Sequence, residues 1–285
     1  MVSVPTEVQA WLAERGESEV LSLDPVGGGC IHWASRLRTA AGGSYFLKTN
    51  PAPAEGIFYA EATGLKALQV TGGPAVPVVL LVGEMFLLLA DLQPAPRREG
   101  FWEIYGRQLA HLHLQGSPRF GFQEDNFIGS NLQLNGWMEN GLDFFREKRL
   151  APQIRWAKDQ GLLRSADLQL CEALLSRLGE ILPDQPAVLL HGDLWSGNLI
   201  TDSKGNPALI DPAVYYGWAE ADLAMTDLFG RYPDLFYAAY TEVNSLQSGF
   251  RERYSLYNLY HLLNHLNLFG RSYLPSVRET LAKYA

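Results

Sequence analysis

The stretch HGDLWSGNLI at 191–200, followed by ALIDPA at 208–213, decides the reading of this chain. Asp193 and Asn198 stand five apart, and Asp211 follows thirteen residues after Asn198. Between them two short apolar runs flank a turn at Lys204 and Gly205, which predicts a hairpin. Moving a phosphoryl group off a nucleotide asks a protein for little covalent chemistry. It needs a carboxylate to orient the attacking hydroxyl and oxygen ligands to hold magnesium on the phosphates. Asp193 suits the first task, and Asn198 and Asp211 suit the second. Each also has a plain structural reading, since Asp followed by Asn five residues later arises by chance and Asp211 before Pro212 can simply cap a turn.

The residues upstream change that balance. Gly27, Gly28 and Gly29 lie between two predicted strands, Lys48 ends the next strand, and Glu61 falls on the helix after it. Taken singly these are a hairpin turn, a solvated strand end and a solvated helix face. Taken in order they are a glycine turn over phosphates, a strand lysine that contacts them and a helix glutamate that holds the lysine. The segment 191–211 resembles a kinase catalytic loop and metal aspartate, with HGD in place of HRD and IDP in place of DFG. ATP and Mg2+ are therefore the expected cofactors. His191 is expected to support the loop by hydrogen bonding without carrying a proton itself.

Composition agrees with a globular enzyme. The 285 residues are 47% hydrophobic and 19% charged, enough apolar material for one large domain or two lobes. The net charge of −8 argues against a broad nucleic-acid-binding face, so a polyanionic ligand must be held locally. Two cysteines, Cys30 and Cys171, make no disulfide framework. The apolar stretch at 76–90 is broken by Pro77, Gly83 and Glu84 and is too short to cross a bilayer. A soluble, cytoplasmic protein is expected, with no nucleic-acid or membrane partner and a monomeric or weakly dimeric state.

Residues 1–92 read as an ATP-binding lobe. A helix over Glu7–Arg15 leads into strands at VLSLDPV, CIHWASRLR and SYFLKTN, a helix follows within residues 54–70, and VPVVLLV and MFLLLADL add two strands. Beyond the linker-like LQPAPRR, residues 93–285 switch to the helical period and form a mainly helical lobe interrupted once, near residues 187–217. Phe101, Ile104, Gln108 and Leu112 make one predicted stripe, and Leu168, Cys171, Leu175, Leu178 and Leu182 another. The fold class is α+β, a five-stranded antiparallel sheet with one main helix against a helical lobe carrying the catalytic loop and acceptor site.

Two competing motifs fail. GGSYFLKT at 42–49 has Leu47 where a P-loop needs glycine, and NPAP follows where a helix should begin. His111 with His113, and His261 with His265, lack the companions of a metal site and read as packed or surface histidines.

At HGDLWSGNL the chain resembles the fructosamine kinase (ketosamine 3-kinase) family, relatives of aminoglycoside and choline kinases within the protein-kinase-like fold. FLKTN, YAEATGLKAL, FGFQEDNFIG, FFREKRL and YYGWAEADLAMTDLFG extend the likeness from about Val26 to Leu268. The resemblance implies a two-lobed kinase that phosphorylates the 3-hydroxyl of ketosamines, free or protein-bound, giving an unstable 3-phosphate that breaks down to release the amine. It implies the kinase roles above for Lys48, Glu61, Asp193, Asn198 and Asp211, and a loop-buttressing role for Asp222. YYGWAE departs from the family's common YYGHRE, placing Trp218 and Ala219 where a histidine and an arginine are usual, which puts sugar preference in doubt.

A ketosamine ammonium flanked by hydroxyls suits Asp125, Asn126, Trp195 and Trp218 as acceptor-binding candidates, by hydrogen bonding and cation–π attraction. The aromatics can equally be core or loop anchors. Cys30, next to the glycine turn, is a candidate for redox control or simply a small residue at a strand start. A kinase for another hydroxylated amine and a non-catalytic nucleotide-binding module remain as alternatives.

Overall fold

The computed structural model describes residues 3–27 and 32–285. The expectations placed on Gly28, Gly29 and Cys30 lie outside the described residues. The chain begins with α1 (Thr6–Ala13), then β1 (Val20–Val26), β2 (Trp33–Thr39), β3 (Ser44–Thr49), α2 (Ile57–Ala67), β4 (Val79–Gly83) and β5 (Phe86–Ala90). Among the described residues these strands form one five-stranded antiparallel sheet in the order β1-β2-β3-β5-β4.

Strand β5 shows why its sequence is an unbroken apolar run. Successive side chains point to opposite faces. Phe86 and Leu88 pack with Val8 and Leu12 of α1, while Leu87 and Leu89 pack with Phe58, Ala62 and Leu65 of α2. The strand is buried on both sides, so no polar alternation survives. The same alternation sets β3: Tyr45 and Leu47 face α1, whereas Phe46 and Lys48 face the cleft. Lys48 is thus a buried residue on the functional face and not a solvated strand end.

The second lobe contains α3 (Phe101–Leu112), β6 (Gly116–Ser117), β7 (Asn126–Ile128), β8 (Asn131–Gln133), α4 (Gly141–Phe144), α5 (Ala151–Asp159) and α6 (Ser165–Ile181). It continues with β9 (Ala187–Leu190), β10 (Leu199–Thr201), β11 (Pro207–Leu209), β12 (Tyr215–Gly217), α7 (Ala219–Leu228), α8 (Asp234–Val243), α9 (Phe250–Phe269) and α10 (Leu274–Tyr284). A π-helical stretch, Phe145–Leu150, joins α4 to α5. The β10–β11 hairpin forms as expected. The lobe is interrupted by more strands than the sequence suggested: β6 and β12 flank β9 in a small sheet, and β7 pairs with β8.

The predicted stripe of α3 is displaced. Phe101, Tyr105, Leu109 and Leu112 are buried, while Ile104 and Gln108 are only half-buried. Gly106 explains the shift. Tyr105 and Phe236 of α8 stack with centroids 5.0 Å apart, and a Cβ on Gly106 would run into the Phe236 carbonyl and come within 2.9 Å of the Tyr240 nitrogen. The missing side chain lets the two backbones touch and turns that face of α3 inward. In α6, Cys171, Leu174 and Leu178 are buried, and burial raises the Cys171 thiol to about 12. No helix among the described residues is long and apolar enough to cross a membrane.

Candidate active site

The two lobes enclose a cleft of about 520 Å³. Its upper wall comes from the sheet, through Ala34, Arg36, Phe46 and Lys48, together with Glu61 of α2. Its floor carries Asp193, Asn198 and Asp211. Six of the residues singled out from sequence, Gly27, Lys48, Glu61, Asp193, Asn198 and Asp211, therefore line one cavity.

Lys48 Nζ donates to Glu61 Oε1 at 2.5 Å and also to the Asp211 carboxylate. Burial works against the Lys48 charge, but the two carboxylates, Asp211 first, outweigh it and raise its pKa. The carboxylates respond differently. Burial raises the pKa of Glu61, whereas at Asp211 burial also pushes the pKa up but is outweighed by the charge and hydrogen bond of Lys48, which hold it low. One ammonium cannot fully satisfy two carboxylates, so a further cation near Asp211 is electrostatically welcome.

Asp211 has a φ of +54°, in the left-handed region where an ordinary residue is strained. The segment around it is bound to the loop before it. Ala213 N donates to the His191 carbonyl at 2.9 Å and Ile210 N to the Asn198 carbonyl at 3.1 Å. Gly192, φ +83°, lies against the Ala213 carbonyl so closely that no Cβ fits.

Within the loop, Asn198 Nδ2 donates to the Asp193 carbonyl at 2.9 Å and to Asp193 Oδ2 at 3.0 Å. This amide orientation leaves the Asn198 Oδ1 oxygen for other partners. Burial pushes the Asp193 carboxyl up to about 7 despite the Asn198 hydrogen bond, with Asp211 and Asp222 adding to the effect. A carboxyl whose basicity is raised toward neutral pH is a better proton acceptor than an ordinary aspartate and can take a proton from a hydroxyl. His191 Nε2 donates to the Ile210 carbonyl at 2.9 Å, and its Nδ1 accepts from Asp193 N at 3.3 Å. Both ring nitrogens are spent on the backbone, and burial lowers its pKa, which fits a supporting role.

Asp222, on α7, accepts the His191 and Gly192 backbone N–H groups at 2.7 and 2.9 Å. The sequence reading missed its other partner. His113 at the end of α3 reaches Asp222 through Nε2 at 3.2 Å and Tyr240 through Nδ1 at 2.9 Å. Burial works against the Asp222 charge, but the His113 hydrogen bond and charge help to hold its pKa low. An apolar helix end carrying His, LAHLHL, was the available signal.

The acceptor candidates separate. Trp195 lines the cleft. Asn126 also borders it, but its amide is committed inside the protein, donating to the Val214 carbonyl and accepting from Gln133 and Asn135. Asp125 is exposed outside the cleft lining and ties its own loop by accepting from Asn135 N at 2.6 Å. Trp218 requires a correction: it is 4% exposed, packed against Phe120, Phe145 and Tyr257 in the core of the helical lobe, and is not part of the cleft wall. No cluster of three His, Cys, Asp or Glu side chains able to hold a metal occurs among the described residues. Magnesium does not require one, since it keeps several waters and takes one or two protein oxygens plus phosphates. Asn198 and Asp211 bring oxygens of that kind to the cleft.

Comparison with known proteins agrees with this geometry. The family model for fructosamine kinase matches residues 4–285. A protein-ribulosamine 3-kinase of Arabidopsis thaliana is 38% identical over 288 residues, covering 97% of this chain and 87% of its own. The crystal structure of a Thermobifida fusca protein assigned as a fructosamine-3-kinase superposes with a TM-score of 0.88 at 34% identity, covering 98% of each chain. An aminoglycoside phosphotransferase structure shares the fold at 18% identity, with a TM-score of 0.63 over 98% of this chain and 99% of that one. The chain belongs to the fructosamine kinase family.

Proposed function

We propose that this protein transfers the γ-phosphoryl group of ATP to the 3-hydroxyl of ketosamines. The observation that carries the reading is the bridge from Lys48 to Glu61 and Asp211, set in one cleft with Asp193 and Asn198. In this reading Glu61 holds Lys48, and Lys48 contacts the phosphates. Asp193 takes the proton of the attacking hydroxyl, so that the oxygen bonds to phosphorus as the bond to ADP breaks. Asn198 and Asp211 hold Mg2+, which when bound neutralises charge on the phosphate oxygens. His191 and Asp222 fix the loop that carries the base.

The relatives' names support the acceptor class, a ribulosamine in one case and a fructosamine in the other. Release of the amine from the unstable 3-phosphate makes the outcome deglycation. We divide the lobes at residues 92 and 93 and place the enzyme in the cytoplasm.

The test is ATP consumption with and without magnesium against ribulosamine, fructosamine, aminoglycoside and choline acceptors, with the phosphate position read by NMR. A 3-phosphorylated ketosamine is expected. Exclusive turnover of an aminoglycoside or choline overturns the acceptor assignment, and nucleotide binding without turnover of any acceptor overturns the catalytic one.

A further inference from the structure

Two stretches of the chain, FGFQEDNFIG at 120–129 and FFREKRL at 144–150, carry no group used in phosphoryl transfer. The fold joins them in one buried polar network beside the segment that carries Asp211. Arg149, in the second stretch, is fully buried, and its guanidinium meets no carboxylate among the described residues. It donates to the Leu134 carbonyl at 2.6 Å, the Lys148 carbonyl at 3.0 Å and Asn135 Oδ1 at 2.8 Å, and it lies over the Tyr215 ring, 3.9 Å from the centroid. A buried cation without a counter-charge is costly, so its place in the core calls for a use.

An arginine can only donate, and this sets the direction of each bond that follows. With Asn135 Oδ1 taken by Arg149, Asn135 Nδ2 donates to Asn126 Oδ1 at 2.8 Å. That oxygen also accepts from Gln133 Nε2 at 2.7 Å, so Asn126 Nδ2 is turned to the Val214 carbonyl, at 2.7 Å. A second line runs alongside. The Tyr260 hydroxyl on α9 donates to Gln133 Oε1 at 2.8 Å, and Gln133 Nε2 donates to the Ala213 carbonyl at 2.9 Å. Bonds aligned head to tail in a buried setting polarise one another and strengthen the last of the series. The two lines end on the consecutive carbonyls of Ala213 and Val214, just after Asp211 and Pro212.

Asp211 needs such a hold. Its φ of +54° lies in the left-handed region, although Pro212 biases the residue before it toward extended backbone. A conformation of that kind persists only when its surroundings fix it. Upstream, Ile210 N is bound to the Asn198 carbonyl, and downstream the two amides grip Ala213 and Val214. We propose that Asn126 and Gln133 are positioning residues that keep Asp211 in its metal-binding orientation, with Arg149 and Tyr260 setting the direction in which the two amides donate. The inference rests on the reading of Asp211 as a magnesium ligand and goes beyond it by giving the β7–β8 hairpin a part in metal binding.

The experiment measures ADP binding by calorimetry, once with excess Mg2+ and once with a chelator, so that the ratio of the two dissociation constants reports the contribution of the metal. The wild type is expected to bind ADP more tightly with Mg2+. Gln133→Met, which keeps the length of the side chain and loses the donor, is expected to cut that gain roughly tenfold while leaving ADP affinity in chelator unchanged. Tyr260→Phe removes a single hydroxyl and keeps the ring, and is expected to act in the same direction by a smaller factor. In turnover, both variants should need more Mg2+ for half-maximal rate and approach the wild-type kcat when Mg2+ is in excess. Asn258→Leu breaks a buried bond to the Ala224 carbonyl, 2.8 Å long, in the same lobe. It should lower the urea-unfolding midpoint and leave the gain from Mg2+ as in the wild type. The positioning role is overturned if Gln133→Met and Tyr260→Phe keep the wild-type gain, or if Asn258→Leu loses as much of it as they do. A wild type whose ADP binding ignores Mg2+ instead overturns the reading of Asp211, and the positioning role with it.

Discussion

Lys48 on β3 reaches across the cleft to Asp211 while Glu61 on α2 holds it from behind, 2.5 Å away, so a single ammonium ties the sheet, its helix and the floor of the site. Substrate phosphates and a divalent cation together can replace this arrangement, the phosphates taking Lys48 and the cation taking Asp211. Glu61→Gln keeps the shape but removes the charge that anchors Lys48. The expected result is a roughly 10–100-fold fall in kcat/KM with a raised KM for ATP, since each lost charge-assisted bond is worth about 1.5–3 kcal/mol. Steady-state kinetics with ATP varied at fixed acceptor check this, and an unchanged KM for ATP removes the anchoring role.

Asp193→Ala deletes the proposed base. It is expected to lower kcat by roughly 10²–10⁴, the usual worth of a positioned proton acceptor, while nucleotide binding measured by calorimetry persists. Normal turnover by this variant shows that another group takes the proton.

His113→Ala withdraws one partner from buried Asp222 and one of the two partners of the Tyr240 hydroxyl, which keeps the Asn244 amide. A loss of about 1–3 kcal/mol in stability is expected. The accompanying fall in kcat should exceed any rise in KM, because the loop that carries Asp193 is loosened. His113→Asn should restore part of both. A variant that loses stability but keeps kcat means that the contact serves only the fold.

Gly106→Ala places a methyl against the Phe236 carbonyl and 3.0 Å from the Ala239 Cβ. The α3–α8 contact must open, with an expected cost of about 1–3 kcal/mol read by urea unfolding. Full stability would show that the two helices separate easily.

His261 is buried and its pKa is lowered to about 3, mainly by burial, against 6.5 for the unconstrained ring. The unfolded chain therefore binds a proton at this position between about pH 6.5 and 3 that the folded chain does not. Stability from this group is complete above pH 6.5 and falls as the pH drops through that window, by about 1.4 kcal/mol per pH unit. His261→Gln should flatten this part of the acid-unfolding profile. A profile identical to that of the wild type would falsify the assignment.

The order of elements and the positions of Lys48, Glu61, Asp193, Asn198 and Asp211 were legible because each follows from a local pattern: strand alternation, helix period or a fixed loop spacing. Trp218 was not legible. A tryptophan at the end of β12 can face out or in, and its packing against Phe120 and Tyr257 is set by residues about 100 and 40 positions away. The internal partners of Asn126 were not legible for the same reason, since the Val214 carbonyl that it donates to is 88 residues distant. The displaced stripe of α3 depended on Gly106, whose importance appears only when α8 is laid against it.

The backbone bonds that join His191 to Ala213 and Asn198 to Ile210 give the floor of the cleft few independent degrees of freedom. Asp193, Asn198 and Asp211 must travel as one body whenever the lobes rock. Cleft closure then reduces to a single coordinate, the distance from Lys48 to that body, and a reporter pair on the sheet and on the β10–β11 hairpin would follow the whole motion.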